Sequence, residues 1–380
     1  MGHDRTIVVG GGLIGCAVAH AVAITGRSVT LLERDPEPGQ RASSAAAGML
    51  APQMEGARHG IAPAAEGDAE RALRDLALAS RSMYPDFVRT LEAESTRTVS
   101  YRDQGTLVVA LEGSELEHLG EIAEGQRAEG LVARLLEADE ARRVEPALGV
   151  EITGALLLPN DHAVDNVAVT RAALEAAAAR GVEIVPGARV DSIVVERGRI
   201  AGVRLGDRSM VASRVVVAAG AWSGRIEGLP RPLPVRPVRG QIGSVAPASP
   251  PRHLVAGPGA YCVPRDDGRV LVGATMEEVG FDDGVTGAAV RELVDAAARF
   301  LPALGRAGPP RAWSGLRPAT PDGLPVLGSD PEVEGLLYAT GHYRNGILLA
   351  PVTAAAIVAL IAGDPSPVEL SAFRPGRFDE

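Results

Sequence analysis

Thr6-Ile7-Val8-Val9-Gly10-Gly11-Gly12-Leu13-Ile14-Gly15 is the stretch that decides how the rest of the chain is read. A β-branched run enters a glycine turn, and apolar residues at helical spacing follow to about Ile24. A second strand-like run, Ser28–Leu32, ends at Glu33. Strand, turn, helix and strand in close succession form a βαβ unit. Gly10, Gly12 and Gly15 fall in the Gly-x-Gly-x-x-Gly pattern. The first allows the tight turn, the second lets the backbone approach a pyrophosphate, and the third lets helix and strand lie close together. The helix N-terminus offers free N–H groups and the positive end of its dipole to the phosphates. Glu33, about 20 residues on, is placed to hold ribose hydroxyls, and its charge disfavours the extra phosphate of NADP. The unit therefore predicts a Rossmann-like domain for FAD or NAD.

Three further stretches favour the larger of these ligands. RASSAAAGM (41–49) offers small residues and hydroxyls where a backbone must approach something closely. VVVAAGAWSG (215–224) is a strand ending in Ala218-Ala219-Gly220 beside Trp222. GHYRNGILLAP (341–351) sets a loop directly before a helix, whose N-terminus would stabilise negative charge on a reduced flavin. A nicotinamide enzyme needs no such contacts spread along the chain, so FAD is expected.

Working outward, the 380 residues allow two domains. Helical spacing is expected at 66–98, 166–180 (capped by Asp165), 286–301 and 347–362, with two helices and connectors over 114–147. Strands are expected at 104–110, 151–158, 182–185, 189–196, 199–205, 210–218, 240–246, 260–264, 269–274 and 336–340. Nucleotide-domain elements thus stand at the start, middle and end. The expected fold is α/β with an α+β second domain: a discontinuous Rossmann-like FAD-binding domain (1–85, 150–225 and 320–380) and an inserted mixed-sheet substrate domain (86–149 and 226–319).

Composition excludes several classes. The net charge of −10 argues against nucleic acid, whose backbone needs a positive stripe. All 38 basic residues are arginine, which removes a lysine Schiff base and a Walker A lysine. Cys16 and Cys262 form no CxxC, and the seven histidines form no ligand cluster, so no metal site is expected. The run 6–24 is broken by glycines and continues into a second strand, unlike a signal peptide. The run 347–362 is short for a membrane span and carries Pro351. A cytoplasmic protein without a membrane segment is expected.

The motifs GGGLIG (10–15), Glu33, SAAAGMLAPQ (44–53), Tyr261-x-Val-Pro-Arg, GATM (273–276), WSGLRP (313–318) and GHYRNGILLAP resemble the D-amino-acid oxidase family of flavoproteins. Within it they are most similar to the glycine oxidase branch associated with thiamine thiazole synthesis. The resemblance runs from residue 6 to about 375 and is weakest at 55–70 and 110–150. It implies noncovalently bound FAD. Leu13 and Ile14 belong to the glycine turn, and Glu33 with Arg34 to the adenosine ribose. Ala42, Ser43, Ala47, Gly48 and Met49 match positions along flavin and pyrophosphate. Val190 matches a backbone contact to adenine. His342, Tyr343, Arg344, Asn345, Gly346, Ile347 and Leu348 match the flavin-edge loop.

The resemblance also implies a substrate site made of Arg317, Arg344, Tyr261 and Met276, for a small amino acid or amine with O2 as acceptor, and it allows a homo-oligomer. Arginine suits the α-carboxylate because its planar guanidinium binds both oxygens. Arg317 is expected in a turn as the carboxylate anchor, with Tyr261 giving a second hydrogen bond. Arg344 either positions substrate or raises the flavin potential, and Met276 is pocket wall. No acid–base pair is needed, since hydride transfer from a neutral amine requires mainly orientation. His342 is expected to act through its backbone, and both cysteines to be packing residues. Gly257-Pro258-Gly259-Ala260 stands where such glycine oxidases can carry an acid and a histidine, and is expected at the pocket mouth. Arg34 replaces a smaller residue. Alternatives are sarcosine, proline or a D-amino acid as substrate, a quinone as acceptor, a flavin-binding partner without turnover, and a nicotinamide dehydrogenase.

Overall fold

In a computed structural model the described residues are 5–58 and 67–379, with backbone only at 56–58. The parts of the expected cofactor domain at 1–4, 59–66 and 380 lie outside them.

Two large sheets organise the chain. The first has six strands in the order Val326–Ser329, Leu336–Thr340, Arg214–Val217, Arg5–Val9, Ser28–Leu32, Glu183–Val185. All its pairings are parallel except that of Val326–Ser329. Its inner strands are near-continuous runs of buried Val, Ile and Leu, as expected of a parallel sheet covered on both faces. Helices Leu13–Ile24, Asn166–Ala179, Ala350–Ala362 and Asp68–Glu94 pack together over one face. Alanines such as Ala172, Ala173, Ala176 and Ala177, all fully buried, let these helices approach closely. Asp165 caps its helix as expected, accepting from Val167 N and Ala168 N at 2.9 Å each.

The second sheet has eight strands: Arg311–Ala319, Arg236–Val245, Val270–Gly273, Ala260–Pro264, Leu254–Gly257, Thr106–Ala110, Gly154–Leu158, Arg134–Glu137. It is mixed, because Leu254–Gly257 runs parallel to Thr106–Ala110 while the other pairs are antiparallel. Helix Gly287–Ala298 covers it through Val290, Leu293, Val294 and Ala297. A three-stranded meander (Ser192–Glu196, Arg199–Leu205, Arg208–Val211) and a small sheet (Met49–Leu50, His162–Val164, Tyr101–Arg102) complete the strands.

Several expectations need correction. The turn expected at 313–318 is part of strand Arg311–Ala319, on the edge of the second sheet. An edge strand tolerates Pro318 because an outward-facing N–H is not needed there. Strands Leu254–Gly257 and Val326–Ser329 were not expected. The span 210–218 divides at Ala212 and Ser213, and Val190 precedes its strand. The stretch 114–147 holds strand Arg134–Glu137 between helices Gly113–Ala128 and Ala138–Val144. The last helix starts at Ala350, not 347. Gly154–Leu158, on the cofactor side of the expected boundary, pairs within the second sheet, whereas helix Asp68–Glu94 packs on the first. Among the described residues, no helix is long and apolar enough to cross a membrane.

Candidate active site

One cavity of about 480 Å³ lies between the two sheets. Its lining follows from the parallel pairing. Residues at or just past the carboxyl ends of four neighbouring strands face it: Gly10, Gly12, Leu13 and Ile14 after Arg5–Val9, Glu33 and Arg34 after Ser28–Leu32, Ala218–Trp222 after Arg214–Val217, and Thr340, His342 and Tyr343 at the end of Leu336–Thr340. The carboxyl ends of parallel strands are where open α/β sheets bind ligands. The opposite wall comes from the second sheet, through Gly240, Ile242, Tyr261, Gly315 and Arg317.

The nucleotide end is tightly specified. A side chain at Gly15 would place its Cβ 1.8 Å from Gly10 O, so only glycine lets this helix rest on the turn. Glu33 is oriented by two backbone donors, Gly11 N to Oε2 at 2.7 Å and Asp35 N to Oε1 at 2.8 Å. The Arg34 guanidinium lies 3.5 Å above the Trp222 ring, a cation–π contact that fixes it along the cavity wall; burial lowers its pKa. Arg41 pairs with Asp35 at 2.7 Å, which holds that carboxyl below its ordinary range. Val190 and Gly220 line the cavity, Gly220 at φ +54°.

Residues 42–49 form a short helix (Ala42–Ala45) and a two-residue strand. Ala42, Ser43, Ala47, Gly48 and Met49 all line the cavity. Ser43 Oγ accepts from Leu13 N at 2.9 Å, joining this segment to the glycine turn. Asn166 donates to Ser43 O at 2.8 Å, and Arg265 donates to Ala47 O at 3.1 Å, so two side chains to which the sequence assigned no role pin the segment. Gly48 has φ +75°, and a Cβ there would meet Val164 O at 2.0 Å.

In the loop 342–348 the residues divide. His342, Tyr343, Arg344, Gly346 and Ile347 line the cavity, while Asn345 and Leu348 do not. Asn345 N donates to His342 O at 2.8 Å, and Leu348 O accepts from Ser80 Oγ at 2.7 Å. Tyr84 OH donates to Ile347 O at 2.8 Å, so the long helix buttresses the loop. Tyr343 adopts φ +48°, a conformation uncommon for a non-glycine residue and typical of sites that aim a side chain. Its N–H donates to Pro318 O at 2.9 Å. The His342 imidazole is buried, contacts Thr353 Oγ1 at 3.0 Å, and burial pushes its pKa down to about 3. Burial thus favours the neutral imidazole at ordinary pH.

Arg317, Tyr261, Arg344 and Met276, the residues expected to take substrate, line the same cavity. Two glycines make room for the first two. A Cβ at Gly240 would overlap the Arg317 guanidinium at 2.1–2.3 Å, and one at Gly273 would meet the Tyr261 hydroxyl at 2.4 Å. Arg317 Nη1 donates to Thr275 O at 3.0 Å. Met276 is 58% exposed at the rim, where its sulfur accepts from Tyr343 OH at 3.4 Å. Arg344 Nη2 lies 3.1 Å from Glu55 Oε2, a cavity residue the sequence reading missed. The turn 257–260 does not line the cavity: Gly257 abuts the Phe300 ring and Gly259 the Ala296 methyl. Cys16 and Cys262 are fully buried, and burial raises the Cys16 thiol to about 12, consistent with packing roles.

These residues fit FAD. The first helix has no side-chain cap at Gly12, leaving amides for an anion beside Ser43, and the cavity continues from there to the arginines of the second sheet. Small residues, among them Ala42, Ala45, Ala46, Ala47 and Gly48, line the cavity and leave room for a large ligand.

Comparison with known proteins agrees. The family model described as FAD dependent oxidoreductase (DAO) matches residues 5–360. The bifunctional protein ThiO/ThiG of Trichormus variabilis is 36% identical over 98% of this chain and 55% of its own length. The chain thus spans about half the length of the curated relatives it matches first. Glycine oxidase of Bacillus licheniformis is 35% identical over 98% of this chain and 97% of its own. The crystal structure of glycine oxidase from Geobacillus kaustophilus superposes with a TM-score of 0.89 at 32% identity, covering 99% of each chain. The chain belongs to the DAO family of FAD-dependent oxidoreductases.

Proposed function

We propose that the protein is an FAD-dependent oxidase of glycine and other small amino acids or amines, serving thiamine thiazole synthesis. The observation that carries this reading is the convergence of Arg317 and Tyr261 from the second sheet on the end of the cavity closed by the loop 342–347. The likeness to proteins named glycine oxidase and ThiO supports it.

Arg317 holds the substrate α-carboxylate through its planar guanidinium, in the space kept open by Gly240. Tyr261 OH donates a second hydrogen bond to the same carboxylate. Anchoring at two points fixes the α-carbon, and this orientation supplies most of the rate enhancement. FAD, which the glycine turn, Glu33 and the loop 342–347 would hold, would supply the hydride acceptor for that carbon and the route by which the two electrons reach O2 as H2O2. The amine must react in its neutral form, its proton lost to solvent or a carbonyl; burial disfavours the His342 imidazole as the acceptor. The imine leaves, and water converts that of glycine to glyoxylate and ammonia. The protein is expected in the cytoplasm.

Measuring peroxide formation with glycine, sarcosine, D-alanine and D-proline tests the proposal. Peroxide at a rate matching substrate loss supports it. Substrate loss only with an added quinone would make the protein a dehydrogenase of the same fold.

A further inference from the structure

The two arginines at the substrate end are held differently. Arg317 donates to a neutral carbonyl, Thr275 O, at 3.0 Å, which leaves its charge for a ligand. Arg344 faces the carboxylate of Glu55 at 3.1 Å, with both side chains mostly shielded at 28% and 22% exposure. An ion pair so shielded is screened less than one on the open surface.

Glu55 is also built into place. It lies on helix Pro52–Arg58, whose first amides are held by Asp161: Met54 N donates at 2.7 Å and Gln53 N at 3.3 Å. Arg81 joins Asp161 at 3.1 Å and Gln53 Oε1 at 2.9 Å. Asp161 is fully buried, so the helix that carries Glu55 is clamped from beneath.

We propose that Glu55 is a specificity-determining residue that cancels the charge of Arg344. Among the described residues the substrate end then presents one uncompensated guanidinium, that of Arg317. The site selects substrates with a single carboxylate and excludes those carrying a second acidic group, which would meet Glu55. Arg344 acts here as the partner that keeps Glu55 compatible with an incoming carboxylate. This inference rests on the proposed oxidation of amino acids at the same site.

The test uses holoenzyme and two readouts. Perturbation of the flavin absorbance by malonate and by glycolate, neither an amine, gives their dissociation constants; turnover compares iminodiacetate with glycine. In Glu55→Gln the preference for malonate over glycolate is expected to rise about tenfold or more, roughly 1.4 kcal/mol, and iminodiacetate to gain against glycine. Arg344→Gln removes this cation from beside the acid, so the KM for glycine rises; adding Glu55→Gln to that variant restores it towards wild type. An unchanged malonate-to-glycolate ratio in a Glu55→Gln protein that still oxidises glycine overturns the inference alone. So does a double variant as impaired as Arg344→Gln. A wild-type protein reduced by no amino acid or amine overturns instead the reading on which the inference rests.

Discussion

Each polar side chain of the site has a neighbour that makes its position possible, and these neighbours yield the sharpest expectations. If Arg317 is the proposed carboxylate anchor, replacing it by Ala should cost on the order of 2 kcal/mol or more, about 30-fold in KM. Every carboxylate substrate should be affected, with flavin retained; unaffected turnover would show that the anchor lies elsewhere. Gly240→Ala should mimic this from a distance. The new methyl meets the mobile end of Arg317, not backbone, so the guanidinium is displaced while the sheet survives. The expected result is raised KM with an unaltered melting temperature, and a large loss of stability would contradict it. His342 gives a pH effect with a defined sign. Its folded pKa is about 3, below the ordinary value of about 6.5. The unfolded chain therefore binds a proton that the folded chain refuses. The stability from neutral His342 is present above pH about 6.5 and is lost towards pH 3, at up to ~1.4 kcal/mol per pH unit. Wild type should lose more melting temperature between pH 7.5 and 5 than His342→Gln does; equal losses would mean the imidazole is not held neutral. Glu55 was not legible in the sequence, because its partner Arg344 lies far along the chain and only folding reveals the pair. That Arg317, Tyr261 and the 42–49 segment would meet at one cavity was legible because they sit in motifs that resemble a known family.

At the scale of elements, legibility followed local regularity. The βαβ unit was readable because its strands are buried on both faces and its glycines have no substitute. A methyl at Gly15 would lie 1.8 Å from Gly10 O, with only backbone to yield. Gly15→Ala should cost several kcal/mol and yield protein with little bound flavin; a yellow, normally stable variant would contradict the close packing of helix on turn. Strand Arg311–Ala319 was misread as a turn because Gly315 and Pro318 are poor strand formers, and it exists through its long antiparallel pairing with Arg236–Val245. Leu254–Gly257 was missed because four residues ending before Pro258 carry too little periodicity. The consequence for the site is favourable: a strand holds Arg317 more rigidly than a turn would, and rigid elements position catalytic groups better.

For the whole molecule, the cavity is the joint between the two sheets, and each sheet supplies only one wall. A ligand that binds this joint binds the folded state alone and must stabilise it by mass action. Removing FAD should therefore lower the melting temperature, and adding it back should raise it with concentration; a melting temperature indifferent to FAD would contradict a cofactor site there. The central claim joins fold, cofactor and substrate, and an anaerobic titration of the purified holoenzyme with glycine, followed at the flavin absorbance band, tests all three together. The expected result is bleaching of the yellow band with increasing glycine and full recovery, with H2O2, when air is admitted. A band that stays oxidised with glycine and equally with sarcosine, D-alanine and D-proline would contradict the assignment of the site to amino-acid oxidation.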